Sequence, residues 1–239
     1  MINDKINTGL YGKLPAHGDF VMRGLSNKFV KAWDNWLQCY ISGSNEQIGE
    51  NWVNYYLTSP IWRFVLSNGC VDSSTWAGIL LPSVDNIGRY FPLSIVTSIP
   101  SNISSLDFLF SANEWFDKIE EISLQALYDN TDIEELNSNI ENTKIIHNNI
   151  YEKQSDNIKS EPLVISMEFE EQRPCSMSDY LLESMFLKSK SSYSVWTTKG
   201  SDKVSPSVFI SQGLPDIKGI SGMINGVWTW QQPYKLKAI

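Results

Sequence analysis

Strand-like and helix-like segments alternate along this chain, and that alternation limits its possible folds more than any other sequence feature. Patterns typical of strands occupy residues 8–14, 61–66, 76–81, 93–99, 163–169, 193–197 and 208–210. Segments with helical periodicity lie between them. This interleaving predicts an α/β fold. Because several strands follow one another through short loops, we expect a mixed, mainly antiparallel-to-mixed sheet with helices packed on both faces, in three layers.

The first predicted helix has the clearest pattern. Trp33, Trp36 and Leu37 fall on one face of residues 26–41, and Ser26 is a suitable N-cap. A second helix is predicted after Ser44, because residues 44–47 have the spacing of a capping box, and it would extend to about residue 58. Further helices are expected at residues 111–128, from residue 131 onward, and at residues 178–187.

The length of the chain fits one globular domain. With 239 residues, 42% of them hydrophobic, and nine tryptophans, the chain can build a core without disulfides or metal ions. We therefore predict a single domain over residues 1–239. Residues 137–160 are rich in Asn, Lys and Ser with scattered Ile, which predicts a variable, weakly ordered connection.

Charge and composition exclude several classes of partner. A net charge of −8, with no basic run longer than two residues, argues against binding to nucleic acid or to an anionic membrane surface. The N-terminal residues lack the apolar core of a signal peptide, and no apolar run is long enough to span a membrane. We therefore expect no membrane insertion and a cytoplasmic location. The sparse cysteines fit neither a zinc site nor a disulfide framework, which predicts buried reduced thiols at Cys39, Cys70 and Cys175.

Known catalytic motifs do not fit the sequence. Residues 9–13 (GLYGK) have two residues between the glycines where a phosphate-binding loop needs four. Residues 219–223 (GISGM) place the second glycine one position too early for a nucleophile elbow. His17 and His147 are the only histidines, and neither has the spacing of a metal site. We therefore predict no catalytic residues, no cofactor and no metal ion.

Two loops combine glycine, proline and charge at high density. Loop A covers residues 12–23 and loop B covers residues 82–93. In the simplest interpretation, their carboxylates and guanidinium groups pair with each other and fix the loop geometry; the candidates are Asp19, Asp85, Arg23 and Arg89.

An alternative interpretation makes the two loops a pocket for a small molecule or a hydrolytic reaction. His17 would act as the base, Asp19 would orient it, and Arg89 would hold an anionic group of the ligand. This interpretation lacks an obvious nucleophile or metal ion, and a deep cavity that collects the three side chains would support it.

The same two loops resemble the N-terminal signature of the TagF family, whose members are associated with type VI secretion. The matching blocks are residues 12–15 (GKLP), 18–20 (GDF), 23–25 (RGL), 60–64 (PIWRF), 76–78 (WAG), 82–85 (PSVD) and 88–93 (GRYFPL). A looser likeness returns at residues 194–196 (SVW) and 213–215 (GLP). The resemblance is good over about residues 9–100 and absent over residues 101–192.

The resemblance implies an accessory protein that holds type VI secretion in check after translation by binding the forkhead-associated scaffold protein of the system. The phosphatase domain fused to some members is not carried over, because this chain has no aspartate motif for it. The family supplies no catalytic residues. The residues expected to line or shape the partner surface are Gly12, Lys13, Pro15, Gly18, Asp19, Arg23, Asp85, Arg89 and Tyr90. The oligomeric state stays open.

Overall fold

Seven strands form one antiparallel sheet in the computed structural model of the chain, which describes residues 7–100, 102–145, 182–183, 185–186 and 191–230. The strand order across the sheet is β2-β1-β5-β4-β3-β6-β7. The strands are β1 (Thr8–Gly12), β2 (Val21–Arg23), β3 (Trp62–Leu66), β4 (Thr75–Leu81), β5 (Leu93–Ile99), β6 (Tyr193–Thr198) and β7 (Ser207–Gln212).

The strand directions correct the prediction of a partly parallel sheet. All six pairings between neighbouring described strands are antiparallel. The reason is the short connection from β3 to β4 and from β4 to β5, which allows only a meander, whereas parallel neighbours require a crossover. The strand β6 then pairs with the other edge of β3, again in the antiparallel direction.

Helices cover both faces of the sheet. They are α1 (Asn27–Ile48), α2 (Trp52–Leu57), α3 (Ser105–Ser111), α4 (Asn113–Asp129), α5 (Ile133–Glu141) and the short α6 (Gly222–Asn225), with 3₁₀ turns at Gly49–Asn51 and Ile217–Gly219. The helices α3, α4 and α5 pack on one face. The helices α1, α2 and α6 pack on the other.

The sheet separates two hydrophobic cores, one on each face, and successive side chains of the central strands point alternately into one and the other. In β4, Ala77 and Ile79 join the core under α3, α4 and α5, whereas Trp76 and Leu80 join the core under α1 and α2. This alternation follows from the period of two in a strand, and a strand buried on both faces is apolar throughout. The fold therefore has the predicted placement of helices on both sides.

One predicted helix boundary is wrong. The helix α1 begins after Ser26, which accepts the backbone N–H of Phe29 as predicted, but it continues through Ser44 to Ile48. Ser44 is buried and accepts a hydrogen bond from Trp52 Nε1 at 2.8 Å, so it is a core residue and not a helix cap. The strand β2 and the helix α3 were not predicted.

Several predictions fall wholly or partly beyond the described residues. The strand at 163–169 lies outside them, and of the helix at 178–187 the described residues 182–183 and 185–186 are helical. Of the Asn-rich connection predicted at residues 137–160, residues 137–141 belong to helix α5, and residues 146–160 lie outside the described residues. Cys39 is exposed and Cys70 half-buried, which corrects the expectation of buried thiols for Cys39. Among the described helices, none combines the length and hydropathy needed to cross a membrane.

Candidate functional site

Loops A and B lie against each other at one end of the sheet. Loop A leaves β1 and loop B enters β5, and these two strands are paired neighbours. Ser83 Oγ donates to the backbone carbonyl of Lys13 at 2.7 Å, and the backbone N–H of Asn86 donates to the carbonyl of His17 at 3.1 Å. The guanidinium group of Arg89 also donates to the carbonyl of Gly18. The strand pairing therefore brings together two segments about 70 residues apart in sequence.

Asp85 is the centre of the contact between the loops. Its Oδ2 atom lies 2.7 Å from Lys13 Nζ and 2.7 Å from Arg89 Nε. Its Oδ1 atom accepts the backbone N–H groups of Ile87 at 3.1 Å and Arg89 at 2.8 Å. Four donors thus converge on one carboxylate, which fixes the turn of loop B and ties it to loop A.

The carboxylate and one of its cations are removed from solvent. The side chains of Asp85 and Lys13 are almost wholly buried, whereas that of Arg89 is half-exposed. Burial by itself raises the pKa of Asp85, but the hydrogen bonds from Lys13 and Arg89 outweigh it. The backbone N–H of Ile87 contributes in the same direction. The pKa of Asp85 is consequently held well below its ordinary value, and the group is a fixed anion at neutral pH.

Glycine is required at two places in the loops. Gly12 has a φ angle of +144°, and the backbone carbonyl of Pro92 occupies the position that a Cβ atom would need. Gly88 has a φ angle of +85° in the turn that brings Arg89 back to Asp85. A side chain at either position would strain the backbone, so both glycines shape the loops.

Aromatic rings fill the space beside the ion pair. Phe20 packs edge-on against Phe91, with ring centroids 4.8 Å apart, and stacks on Tyr11 at 5.8 Å. Lys13 Nζ lies 5.0 Å from the centroid of the Phe20 ring. The ring of Tyr90 packs edge-on against Trp52. The contact between Phe20 and Phe91 holds loop A against loop B by packing as well as by charge, and the contact between Tyr90 and Trp52 joins loop B to α2.

Loop A also contacts the start of helix α5. The backbone N–H of Ile133 donates to His17 Nε2 at 3.1 Å, and the guanidinium group of Arg23 pairs with the carboxylate of Glu134. The expected partners of Arg23 were the carboxylates of the loops, so this pairing is a correction. The sequence could not indicate it, because α5 lies more than 100 residues farther along the chain.

Loop A, loop B and α5 all lie within the segment that matches a known family. Residues 9–143 match the model of the TagF N-terminal domain, type VI secretion system-associated. The chain belongs to the TagF family. It is also similar to the crystal structure of PA0076 from Pseudomonas aeruginosa PAO1, with 28% sequence identity and a TM-score of 0.76. That similarity covers 97% of this chain and 99% of the other. A comparison with curated proteins found no match.

The residues of the TagF signature divide into buried and exposed groups. Gly12, Lys13 and Asp85 are buried and determine the shape of the loops. Pro15, Arg23 and Tyr90 are half-buried. Gly18, Asp19 and Arg89 are exposed, so among the residues predicted to meet a partner these three have the most accessible surface.

Two apolar side chains that the sequence reasoning missed lie in the same TagF loops. Ile87 is 68% exposed at the tip of loop B, and Phe20 is 44% exposed in loop A. An isoleucine between Asn86 and Gly88 in a turn was the signal that could have identified the first, because turn tips are normally polar. We refer to the side chains of Ile87 and Phe20, together with the exposed Asp19 and Arg89, as the loop surface.

The geometry around His17 differs from the pocket interpretation. The carboxylate near its Nε2 atom is that of Asp132, at 3.4 Å, whereas Asp19 accepts the backbone N–H of Phe20. The Nε2 atom already accepts a hydrogen bond from the backbone N–H of Ile133, so this nitrogen is engaged in a structural contact with α5. A cleft of about 280 Å³ lies between α4 and α5, and none of the residues that line it belongs to the loops of this TagF protein. In the part of the chain that the structure describes, no group of three or more His, Cys, Asp or Glu residues could hold a metal ion.

Proposed function

We propose that this TagF-family chain represses type VI secretion after translation, without catalysis, by binding the forkhead-associated scaffold protein through the loop surface. The observation that carries the proposal is the joining of the two signature loops by the buried carboxylate of Asp85. A contact of this kind holds residues that are distant in sequence in one arrangement, as in a preorganised recognition surface.

The rigidity of the loops lowers the cost of binding. Association loses conformational entropy when mobile loops become ordered. Here Asp85 accepts four hydrogen bonds, and Phe20 packs against Phe91, before any partner arrives. The binding free energy is therefore not spent on ordering the loops.

The chemistry of the loop surface fits a protein partner. Ile87 and Phe20 offer apolar area, and Asp19 and Arg89 offer one charge of each sign beside it. Interfaces commonly combine an apolar centre with a polar rim, and Arg is enriched among residues that dominate binding. The matching area on the scaffold would be apolar with both charges at its edge.

Calorimetric titration of the purified scaffold protein with the wild type and with Ile87→Asp tests the proposal. We expect the substitution to weaken binding at least tenfold, about 1.4 kcal/mol, because it places a charge at the centre of the contact. Leu124→Asp is the matched control, since Leu124 is equally an exposed apolar residue but lies on α4. Equal affinity of both variants, or no binding by the wild type, would contradict the proposal.

Secretion in cells provides the second measurement. Loss of the protein should raise type VI secretion and its overproduction should lower it. Overproduced Ile87→Asp should fail to lower secretion, whereas Leu124→Asp should act like the wild type. Lowered secretion with Ile87→Asp would show that the loop surface does not carry the repression.

A further inference from the structure

Strand β7 is the last strand of the sheet among the described residues. It pairs with β6 on one side, and no described residue pairs with it on the other. Val208 and Ile210 point to the same face of the sheet and are 59% and 45% exposed. An edge strand of this kind presents unpaired backbone N–H and C=O groups together with apolar side chains.

The neighbouring strands determine which backbone groups of β7 point outward. The carbonyl of Tyr193 accepts a hydrogen bond from the N–H of Ser67, the residue after β3. The backbone N–H and C=O groups of residues 193, 195 and 197 in β6 therefore point toward β3. The backbone groups of the intervening residues of β6 point toward β7. The hydrogen bond from the Gly213 N–H to the Ser192 carbonyl, at 2.7 Å, agrees with this pattern. Residues 207, 209 and 211 therefore bond to β6, and the N–H and C=O groups of Val208 and Ile210 point away from the sheet.

The strand lacks the features that normally prevent an edge strand from pairing with a strand of another molecule. Its six residues, SVFISQ, contain no charged residue and no proline. Proteins usually protect edges with lysine, proline or a bulge, because an open edge pairs with other strands. In a chain with a net charge of −8, a neutral segment is also where a second copy meets the least repulsion.

The sequence of β7 is symmetric about its centre. Residues 207–211 read Ser-Val-Phe-Ile-Ser, so an antiparallel copy centred on Phe209 places serine opposite serine and Val208 opposite Ile210. In that register Val208 and Ile210 of the two copies exchange their outward N–H and C=O groups. We propose that two copies of this chain associate through antiparallel pairing of β7 about a two-fold axis at Phe209.

This pairing is compatible with the loop surface. Loop A begins at the end of β1 and includes β2, and these two strands lie at the opposite side of the sheet from β7. The dimer would therefore extend the sheet and leave both loop surfaces accessible. A contact based on one strand pair is smaller than a standard interface, so the expected dimer is weak and depends on concentration.

Two double variants test the pairing and its register. Val208→Lys with Ile210→Glu places opposite charges across the two-fold axis, whereas Val208→Lys with Ile210→Lys places like charges there. Both variants alter the same two exposed positions and differ by one residue. Sedimentation equilibrium from low to high micromolar concentration measures self-association, and circular dichroism checks that each variant is folded.

We expect the wild type to dimerise and the Lys/Glu variant to retain dimerisation. The Lys/Lys variant should self-associate at least about tenfold more weakly than the Lys/Glu variant, because like charges would lie directly opposite each other. A wild type that stays monomeric throughout the concentration range overturns the proposal. Equal self-association of the two double variants also overturns it, since the register would then be wrong.

Discussion

Asp85 shows how one residue can organise two loops. Its carboxylate is shared by a buried lysine and a half-exposed arginine, and both bonds are 2.7 Å long. A buried charge is tolerated only when it is paired and its lone pairs are satisfied. Here the second oxygen of the carboxylate, Oδ1, accepts hydrogen bonds from the backbone N–H groups of Ile87 and Arg89. Lys13 and Asp85 therefore form the foundation of the loop surface, whereas Arg89 also reaches solvent.

The pKa of Asp85 predicts how stability depends on pH. Because the folded pKa lies below the unfolded value of about 3.9, the unfolded chain binds the proton more readily. The stabilisation is complete above that unfolded pKa and is lost as the pH falls through the folded pKa. We therefore expect the stability difference between the wild type and Asp85→Asn to be largest at neutral pH and to shrink below about pH 4.

Urea denaturation at neutral pH and near pH 3 measures that difference. Asp202→Asn is the control, since Asp202 is exposed, and it should change stability little at either pH. A difference for Asp85→Asn that stays constant with pH would mean that the Asp85 charge does not contribute as described.

The long helix α1 holds residues 215–221 in place through side-chain hydrogen bonds. Trp36 Nε1 donates to the carbonyl of Pro215 at 3.0 Å. Near the end of the helix, the Gln47 side chain donates to the carbonyl of Ile217 at 2.6 Å and accepts the N–H of Ser221 at 3.2 Å. The capping-box prediction assigned Gln47 to a helix start, but it instead holds a distant turn.

Gln47→Ala should therefore loosen residues 217–221 and not the helix. Hydrogen exchange is expected to become faster at the Ser221 amide and unchanged in α2, because only the former loses its acceptor. The stability loss should be modest, about 0.5–1.5 kcal/mol, as for a typical hydrogen bond. Faster exchange at the start of a helix near Ser44, with Ser221 unaffected, would support the capping box instead.

The family-matched segment packs against strands that lie beyond it in the sequence. The match ends at residue 143, yet β6 pairs with β3 and carries Trp196 into the core under α1. Trp196 is fully buried and lies 4.7 Å, between ring centroids, from Phe64. Its indole also packs against Trp33 and Trp36. The two parts of the chain thus both contribute to the core under α1.

Trp196→Ala should accordingly destabilise the whole protein. Removing a fully buried large aromatic residue costs about 3–5 kcal/mol, through lost burial and the remaining cavity. Thr197→Ala is a suitable control, because Thr197 is the half-buried neighbour whose side chain points to the other face of the strand. Urea denaturation followed by circular dichroism should show one cooperative transition at a lower midpoint for Trp196→Ala. Separate transitions would indicate two independent units.

Local patterns were sufficient to predict much of the secondary structure. The strand at 93–99 matches β5, and Ser26 caps α1 as expected, because a period of two and an N-cap are properties of adjacent residues. Ser44 misled the prediction because burial against Trp52 outweighed its local preference for a cap. The same reasoning identified loops A and B as the candidate site.

The helix and strand periodicities and the glycine-rich turns can be predicted from the amino-acid sequence, since each depends on neighbours within a few residues. The folded arrangement of the chain was needed to learn that Asp85 pairs with Lys13 as well as Arg89, that Arg23 pairs with Glu134, and that Ile87 is exposed. Ion pairing and burial depend on which segments the strand order makes neighbours. That order is set by packing of the whole chain and has no local signature.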